Sequence, residues 1–305
     1  MSFAQEVKKE MMAHELPKKC CAIAAAYSIA CFGKYFDARG IVLHTEQAAV
    51  AQYAQRVLER AGIHGEAYPR GKEKNGLYEF SVKDEDEVRG LLALFGHTGH
   101  ETTLRINSKN FVCEHCVNSF VSMAFLCCGT MTNPEKEYNL EFLSGRYNLM
   151  HDFEALLMGH GFTPRHTQRK GANVLYLKSS EQIEDMLTFM GATSAALQIM
   201  NTKVYKDIRN KANRITNCET ANIDKTVAAN QNTLQAIAYL RRHGALTVLP
   251  EALREAAKLR EAMPDISLKD LAEQFEPPLS KSGLSHRMKK IEQLADEMRE
   301  RNVHG

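Results

Sequence analysis

The sequence lacks the long apolar segments that mark membrane and secreted proteins. None of its apolar runs reaches the roughly 20 residues that a transmembrane helix needs. The first residues, MSFAQEVKKEMMAHELPKK, are charged and contain no apolar stretch of the kind found in a signal peptide. We therefore expect a cytoplasmic protein with no membrane partner.

The chain also lacks an overall excess of charge of either sign. Its 39 lysine and arginine residues nearly balance its 37 aspartate and glutamate residues, which leaves a formal net charge of +2. Any surface that binds nucleic acid must therefore be local. One stretch has such a local bias, because no acidic residue occurs from Leu279 to Ile291.

The eight cysteines do not indicate a disulfide framework, because the sequence carries no secretion signal. Most of them lie in apolar helical runs, where a free cysteine acts as a small buried hydrophobe. Cys113 and Cys116 form a single CxxC pair. A structural zinc site usually needs a second pair of ligands, and none follows at the spacing of a zinc finger. We therefore expect no metal ion and no cofactor.

The basic stretch has the pattern of an amphipathic helix. Its apolar residues recur at i, i+4, i+7 and i+11, namely Leu284, Met288, Ile291 and Ala295. A shorter amphipathic segment, Ser267–Phe275, precedes it, and Pro277 and Pro278 separate the two. Short helix, tight turn and basic helix together predict a helix-turn-helix, whose second helix enters a DNA major groove. The alternative, a solvated basic face on an ordinary helical bundle, stays open.

This interpretation assigns a role to each polar residue of the second helix. Small polar residues at its start, among them Ser280, allow close approach to phosphates, and a helix N-terminus favours anions. We expect contacts with base edges from Ser282, Ser285, His286 and Lys289, and contacts with phosphates from Lys281, Arg287 and Lys290.

A connector rich in asparagine and basic residues lies before this domain. Arginine and asparagine are common hydrogen-bond donors to DNA, so the connector is a second candidate contact. A plain helical linker explains the same composition. The candidate residues are Arg209, Lys211 and Arg214.

The first two thirds of the chain contain an internal duplication. Two stretches, at about 18–100 and 108–203, each read as apolar helix, strand, helix, hairpin and helix. Their glycines pair in order: Gly33 with Gly129, Gly62 with Gly161, and Gly96 with Gly191. We therefore divide the chain into a duplicated domain (1–203), a basic linker (204–230) and a helix-turn-helix domain (231–305). The apolar helices, rich in small residues, are expected to pack against each other.

The duplicated domain resembles the LAGLIDADG homing-endonuclease fold. In that family, an acid immediately before the motif glycine binds the divalent metal ion that cuts DNA. The matching positions here are Phe32 and Cys128, and neither is a hard oxygen ligand. The nearest acids, Asp37 and Glu135, lie beyond the glycines. We therefore expect a domain that does not cut DNA and is not an enzyme.

The whole chain resembles the WhiA family of bacterial regulators. The resemblance rests on MSFAQEVKKE, AFLCCGTMTNPEKEYNLEF, RNKANRITNCETANIDK and SLKDLAEQFEPPLSKSGLSHRMKKI, in that order. It implies an α+β protein in which a duplicated LAGLIDADG-like N-terminal domain precedes a C-terminal all-α helix-turn-helix domain. Tyr27 and Phe32 depart from the small or aliphatic residues expected in the first motif.

The same resemblance implies a function. It indicates a nucleoid-associated protein that binds double-stranded DNA and regulates transcription in cell division, chromosome segregation and, in spore-formers, sporulation. The N-terminal domain would then serve as a scaffold or bind other transcription or division proteins. A basic hairpin, Pro164–Gly171, is a further candidate contact with DNA. The alternative function is a metal-dependent endonuclease whose acidic ligands have moved.

Overall fold

The computed structural model describes residues 2–70 and 76–303. In the hairpin predicted for the first half of the duplication, we expect the loop at 70–76, and most of that loop therefore lies outside the described residues. The chain divides into two units, Met1–Lys206 and Asp207–Gly305. Each unit has its own hydrophobic core. Within the described residues, every helix is too short or too polar to cross a bilayer.

The first unit consists of two halves with the same order of elements. A helix, α1 (Phe3–Ala13), precedes them, and Ser2 caps it. The first half comprises α2 (Lys19–Phe32), β1 (Tyr35–Asp37), β2 (Gly40–Thr45), α3 (Ala48–Ala61), β3 (Glu66–Pro69), β4 (Tyr78–Val82) and α4 (Glu85–Phe95). After a short 3-10 helix at Ser108–Asn110, the second half comprises α5 (Cys116–Cys128), β5 (Gly129–Met131), β6 (Leu140–Ser144), α6 (Tyr147–Met158), β7 (Arg165–Arg169), β8 (Ala172–Leu177) and α7 (Ser180–Phe189).

The two sheets repeat one topology, which confirms the predicted duplication. The strand orders are β1-β2-β4-β3 and β5-β6-β8-β7, and all neighbouring strands are antiparallel. Two of the glycine pairs also share a backbone conformation. Gly62 and Gly161 have φ of +88° and +87°, and Gly96 and Gly191 have φ of +70° and +87°. Glycine adopts this left-handed conformation without steric cost, so it ends helices in both halves.

Helices α2 and α5 pack against each other at the centre of the unit, as the small residues predicted. Tyr27 is fully buried between them, 5.7 Å from the Phe120 ring. Its hydroxyl accepts a hydrogen bond from the backbone N–H of Asn107 (2.7 Å) and donates one to the carbonyl of Arg105 (3.2 Å). A large aromatic residue therefore fits in this helix, because its polar atom has partners.

A single long helix, α8 (Thr193–Arg242), includes the whole segment 204–230 that we read as a basic linker. It contains neither proline nor glycine, so nothing in its sequence interrupts the backbone hydrogen bonds. Residues 207–229 are exposed on all sides. The division between the two units falls within α8, after Lys206.

The second unit continues after α8 with a short 3-10 helix (Ala245–Val248), followed by α9 (Glu251–Ala262), α10 (Leu268–Ala272) and α11 (Lys281–Val303). Helix α10 ends before the expected Phe275, because the backbone N–H of Leu279 donates to the carbonyl of Ala272 (2.9 Å) and turns the chain back. Phe275 is nevertheless buried in the core. The predicted sequence of short helix, turn and longer helix is confirmed.

Candidate nucleic-acid interface

Helix α11 is held in place by one apolar face. Leu284, Met288, Ile291 and Ala295 are all buried, as their spacing predicted. The Ser280 side chain caps the start of the helix by accepting a hydrogen bond from the backbone N–H of Gly283 (3.1 Å). Its hydroxyl also lies 3.1 Å from that of Ser282. Ser280 therefore caps α11. Its approach to a DNA phosphate stays a prediction.

The opposite face of α11 is exposed and basic. Ser282, His286 and Lys289 recur at i, i+4 and i+7 and form one exposed stripe, which Lys281 and Lys290 flank. Within the described part of the chain, none of the three lysines forms an ion pair with an acid. The first acid of the helix is Glu292, beyond three turns. This end of the helix therefore presents uncompensated positive charge to solvent.

Two of the predicted contact residues lie at the edges of this exposed face. Ser285 and Arg287 are half-buried. The Arg287 guanidinium donates to the backbone carbonyl of Ala252 (3.3 Å) and lies 5.6 Å from the centre of the Phe275 ring. Arg287 therefore links α11 to α9, and its contact with phosphate stays a prediction.

Sequence reasoning missed Arg260, a residue of α9 that holds the loop leading into the helix-turn-helix. Its side chain is fully buried, and it donates to the backbone carbonyl of Ile266 at 2.9 Å. Longer contacts of 3.4 Å reach the carbonyls of Met263 and Pro264. Arg260 thus holds the loop between α9 and α10, together with the Asn230 amide, which donates to the carbonyl of Pro264 (3.2 Å). A regular apolar pattern surrounds Arg260 in the sequence, and nothing in that pattern distinguishes it from an exposed arginine.

The three basic candidates of the connector lie on α8, where all of them are exposed. Lys211 and Arg214 are three residues apart and share one face of the helix. Arg209 is two residues from Lys211 and therefore points to a different side. A straight duplex lying against α8 would contact Lys211 and Arg214 together, but not Arg209.

In the first unit, the positions that correspond to catalytic acids are filled by other groups. Phe32 is almost fully buried, with its ring 5.0 Å from that of Phe153 and 5.8 Å from that of Phe120. Cys128 is partly buried, and desolvation raises the pKa of its thiol to about 12. Both side chains are therefore neutral near pH 7 and neither supplies an oxygen ligand.

Cationic side chains contact the C-terminal ends of both central helices. The Arg146 guanidinium donates to the carbonyls of Cys31 and Gly33, on either side of Phe32, the latter at 3.1 Å. The Lys8 ammonium group donates to the carbonyl of Leu126 (3.2 Å) at the end of α5. Burial lowers the pKa of both groups, whereas the partial negative charge of a helix C-terminus favours their cationic forms. These charges repel a divalent metal ion at the same place.

Asp37, one of the two nearest acids, is already engaged, and so is Glu79 of the first sheet. The Asp37 carboxylate pairs with Arg39 at 2.6 Å, and these hydrogen bonds lower its pKa. On the first sheet, the buried Glu79 accepts hydrogen bonds from Tyr68 (2.5 Å) and Lys83 (3.0 Å), which hold its pKa at about 2. These acids are therefore ionised and already paired with basic or hydroxyl groups of the chain.

The basic hairpin at 164–171 forms β7 and its turn. Arg169 pairs with the buried Glu141, which uses part of the positive charge of the hairpin. Arg165 and Lys170 are exposed, and neither forms an ion pair among the described residues. Of the three cationic side chains of the hairpin, those of Arg165 and Lys170 are thus not engaged by an acid of the described residues, whereas that of Arg169 is.

Comparisons with known proteins match both units. The family model of the WhiA C-terminal HTH domain matches residues 212–295, and that of the WhiA LAGLIDADG-like domain matches residues 117–209. The chain is 34% identical to the probable cell division protein WhiA of Clostridium botulinum (strain Hall), over 98% of this chain and 99% of the relative. It is 36% identical to the protein of the same name from Clostridium acetobutylicum, with the same coverage.

A solved structure has a similar fold over nearly the whole chain. The crystal structure of full-length DUF199/WhiA from Thermatoga maritima has a TM-score of 0.62 and 20% sequence identity, over 97% of this chain and 99% of that one. The predicted fold class, a duplicated LAGLIDADG-like domain joined to a helix-turn-helix domain, is therefore confirmed. Family models, full-length relatives and fold agree, and the chain belongs to the WhiA family.

Proposed function

We propose that this protein binds double-stranded DNA through helix α11 and regulates transcription in cell division and chromosome segregation. The observation that carries the proposal is the exposed stripe of Ser282, His286 and Lys289, which lies opposite the buried stripe and is flanked by lysines that pair with no acid of the described residues. A helix with one face anchored in its own domain and the other face cationic can lie in a major groove. The names of the Clostridium relatives, probable cell division proteins, support the assignment to cell division.

The lysines and polar residues of α11 make two kinds of contact with DNA, one with phosphates and one with bases. Lys281 and Lys290 flank the stripe and contact phosphates, which positions the helix without reading sequence. Ser282, Ser285, His286 and Lys289 face the base edges and supply specificity. His286 is exposed, so either of its ring nitrogens is free to donate to or accept from a base. In spore-forming hosts, the regulated genes include those of sporulation.

The first unit acts as a scaffold that does not cut DNA. Phe32 and Cys128 replace the metal-binding acids, and Arg146 and Lys8 place positive charge at the ends of the two helices. This arrangement supports binding to DNA or to transcription and division proteins without hydrolysis. The exposed Arg165 and Lys170 of the hairpin are the candidate DNA contacts in this unit.

The direct test reverses charge on the exposed face of α11. We expect Lys289→Glu/Lys290→Glu to abolish binding to a pool of random-sequence duplexes in an electrophoretic shift assay, because two attractions become repulsions. The wild-type affinity should fall steeply with salt, by a slope of about 0.9 per phosphate contact. Selection from the same pool identifies the preferred site of the wild-type protein.

A charge-matched control separates the local effect from the change in net charge. Lys258 on α9 and Arg301 near the end of α11 are both exposed, and Lys258→Glu/Arg301→Glu changes the net charge by the same amount. We expect this variant to keep most of its affinity. If the control variant binds as poorly as Lys289→Glu/Lys290→Glu, or if the latter still binds, α11 is not the recognition helix.

A further inference from the structure

Four cysteines of the first unit converge at one point. Cys20 and Cys21 begin the first central helix, α2, and Cys113 and Cys116 lie at the start of the second, α5. The sulfur of Cys113 is 3.5 Å from that of Cys20, 3.6 Å from that of Cys21 and 3.5 Å from that of Cys116. All four sulfurs lie within 4.8 Å of one another.

These distances fit a single tetrahedral ion. With Zn–S bonds of 2.3 Å, a tetrahedral site holds its sulfurs about 3.8 Å apart. A disulfide would require about 2.05 Å, and all four cysteines are free. An iron–sulfur cluster distributes its four cysteines over two irons in [2Fe–2S] or over four in [4Fe–4S], and therefore needs sulfurs that are spread more widely than around one ion. Four thiolates around one ion favour zinc among the common metals.

The surroundings of the cluster favour negative charge. The sulfurs lie at the N-terminal ends of α2 and α5, where the helix dipoles place partial positive charge. The backbone N–H of Cys113 points to the sulfur of Cys116 at 3.4 Å. Lys18 and Lys19, next to Cys20 in the sequence, are exposed beside the cluster and offset the −2 charge of a zinc tetrathiolate.

We propose that Cys20, Cys21, Cys113 and Cys116 form a structural zinc site that joins the two halves of the duplicated domain. Each half supplies one pair of ligands, so the ion fastens the start of α2 to the start of α5. Four protein ligands leave no open position, which indicates a structural rather than a catalytic role. Cys21 and Cys116 are buried and Cys20 and Cys113 are half-buried, so the site is enclosed yet reachable by an ion.

The proposal departs from the expectation of no metal that the sequence suggested. The second pair of ligands does not follow Cys113 along the chain but precedes it by about 90 residues, since Cys20 and Cys113 are 93 positions apart. Closing so long a segment with a metal ion restricts the unfolded chain, and binding that requires the folded arrangement stabilises it.

The first experiment measures metal in the full-length protein. After purification with a reducing agent and without chelators, mass spectrometry of the elements should find about one zinc ion per chain. Cys20→Ser/Cys113→Ser should lose it. Cys218→Ser, which removes an exposed cysteine of α8 outside the cluster, should retain it. Equal zinc in the wild type and in Cys20→Ser/Cys113→Ser would overturn the proposal, as would iron in place of zinc.

A second experiment uses the wild-type chain alone, so it does not depend on the folding of a variant. Adding Co²⁺ to the reduced, metal-free protein should produce the visible absorption of a tetrahedral thiolate complex, and Zn²⁺ should displace it. Zinc should also raise the midpoint of thermal unfolding. The proposal would be overturned if this absorption did not appear and all four thiols still reacted with a thiol reagent in the presence of Zn²⁺. A disulfide among the four cysteines in the purified protein would do the same.

Discussion

At the scale of single residues, Gly33 ends the first central helix in a space that a side chain does not fit. A Cβ atom there would lie 2.6 Å from the carbonyl oxygen of Ile29 and 2.7 Å from that of Val42. Both are backbone atoms, so neither moves without shifting an element. Gly90 is the opposite case, because it lies exposed within α4 and nothing is within 4 Å of an added Cβ.

Replacing each of these two glycines with alanine should change the stability of the protein in opposite directions. We expect Gly33→Ala to destabilise the protein by about 1–3 kcal/mol through overpacking. Gly90→Ala should stabilise it by roughly 0.5–1 kcal/mol, because alanine favours a helix. The midpoint of urea unfolding measures both changes. A Gly33→Ala chain as stable as the wild type would show that the two carbonyls move apart easily.

Residue roles were predictable only where they follow a local pattern. The burial of Leu284 and the exposure of Lys289 follow from helical spacing, so both were predicted correctly. Arg260, Arg146 and the convergence of the four cysteines were not predicted. The partners of Arg146 and of the cysteines are set by tertiary packing, and the Arg146 contact with Gly33 spans 113 positions, whereas Arg260 bonds the loop that follows its own helix. No periodicity in the sequence encodes such a contact.

At the scale of elements, most helices and hairpins could be predicted from apolar spacing and from glycines that end helices. The strands β1 and β5 were missed, because three residues are too few to show an alternating pattern. The continuity of α8 through the predicted linker was missed, because residues 207–229 have no apolar face buried against the chain. The absence of proline and glycine was the signal that favoured one continuous helix.

The geometry of α8 sharpens the prediction for its basic residues. Since Lys211 and Arg214 share a face, we expect Lys211→Gln/Arg214→Gln to lower the salt slope of DNA binding by up to about 1.8, at about 0.9 per phosphate contact. Arg209→Gln, on another side of the helix, should leave the slope unchanged. Fluorescence anisotropy at several salt concentrations measures both. If Arg209→Gln lowered the salt slope and Lys211→Gln/Arg214→Gln did not, α8 would contact DNA through the face that carries Arg209.

At the scale of the whole molecule, the chain joins a LAGLIDADG-like domain to a helix-turn-helix domain. We expect no nicking of supercoiled plasmid when the full-length protein is incubated with Mg²⁺ or Mn²⁺, because Phe32 and Cys128 supply no oxygen ligands and Arg146 and Lys8 repel a divalent ion. Agarose gel electrophoresis detects single nicks. Metal-dependent nicking that disappears in Asp37→Asn or Glu135→Gln would instead establish relocated acidic ligands.

The guanidinium of Arg146 has a consequence for any attempt to engineer a metal-dependent nuclease in this domain. It donates to the carbonyls on both sides of Phe32, so an aspartate introduced at that position would pair with the arginine in preference to a metal ion. One substitution is therefore too few to create a metal site. The arginine would also have to be replaced, and the end of α2 would then lose the hydrogen bonds that Arg146 donates to it.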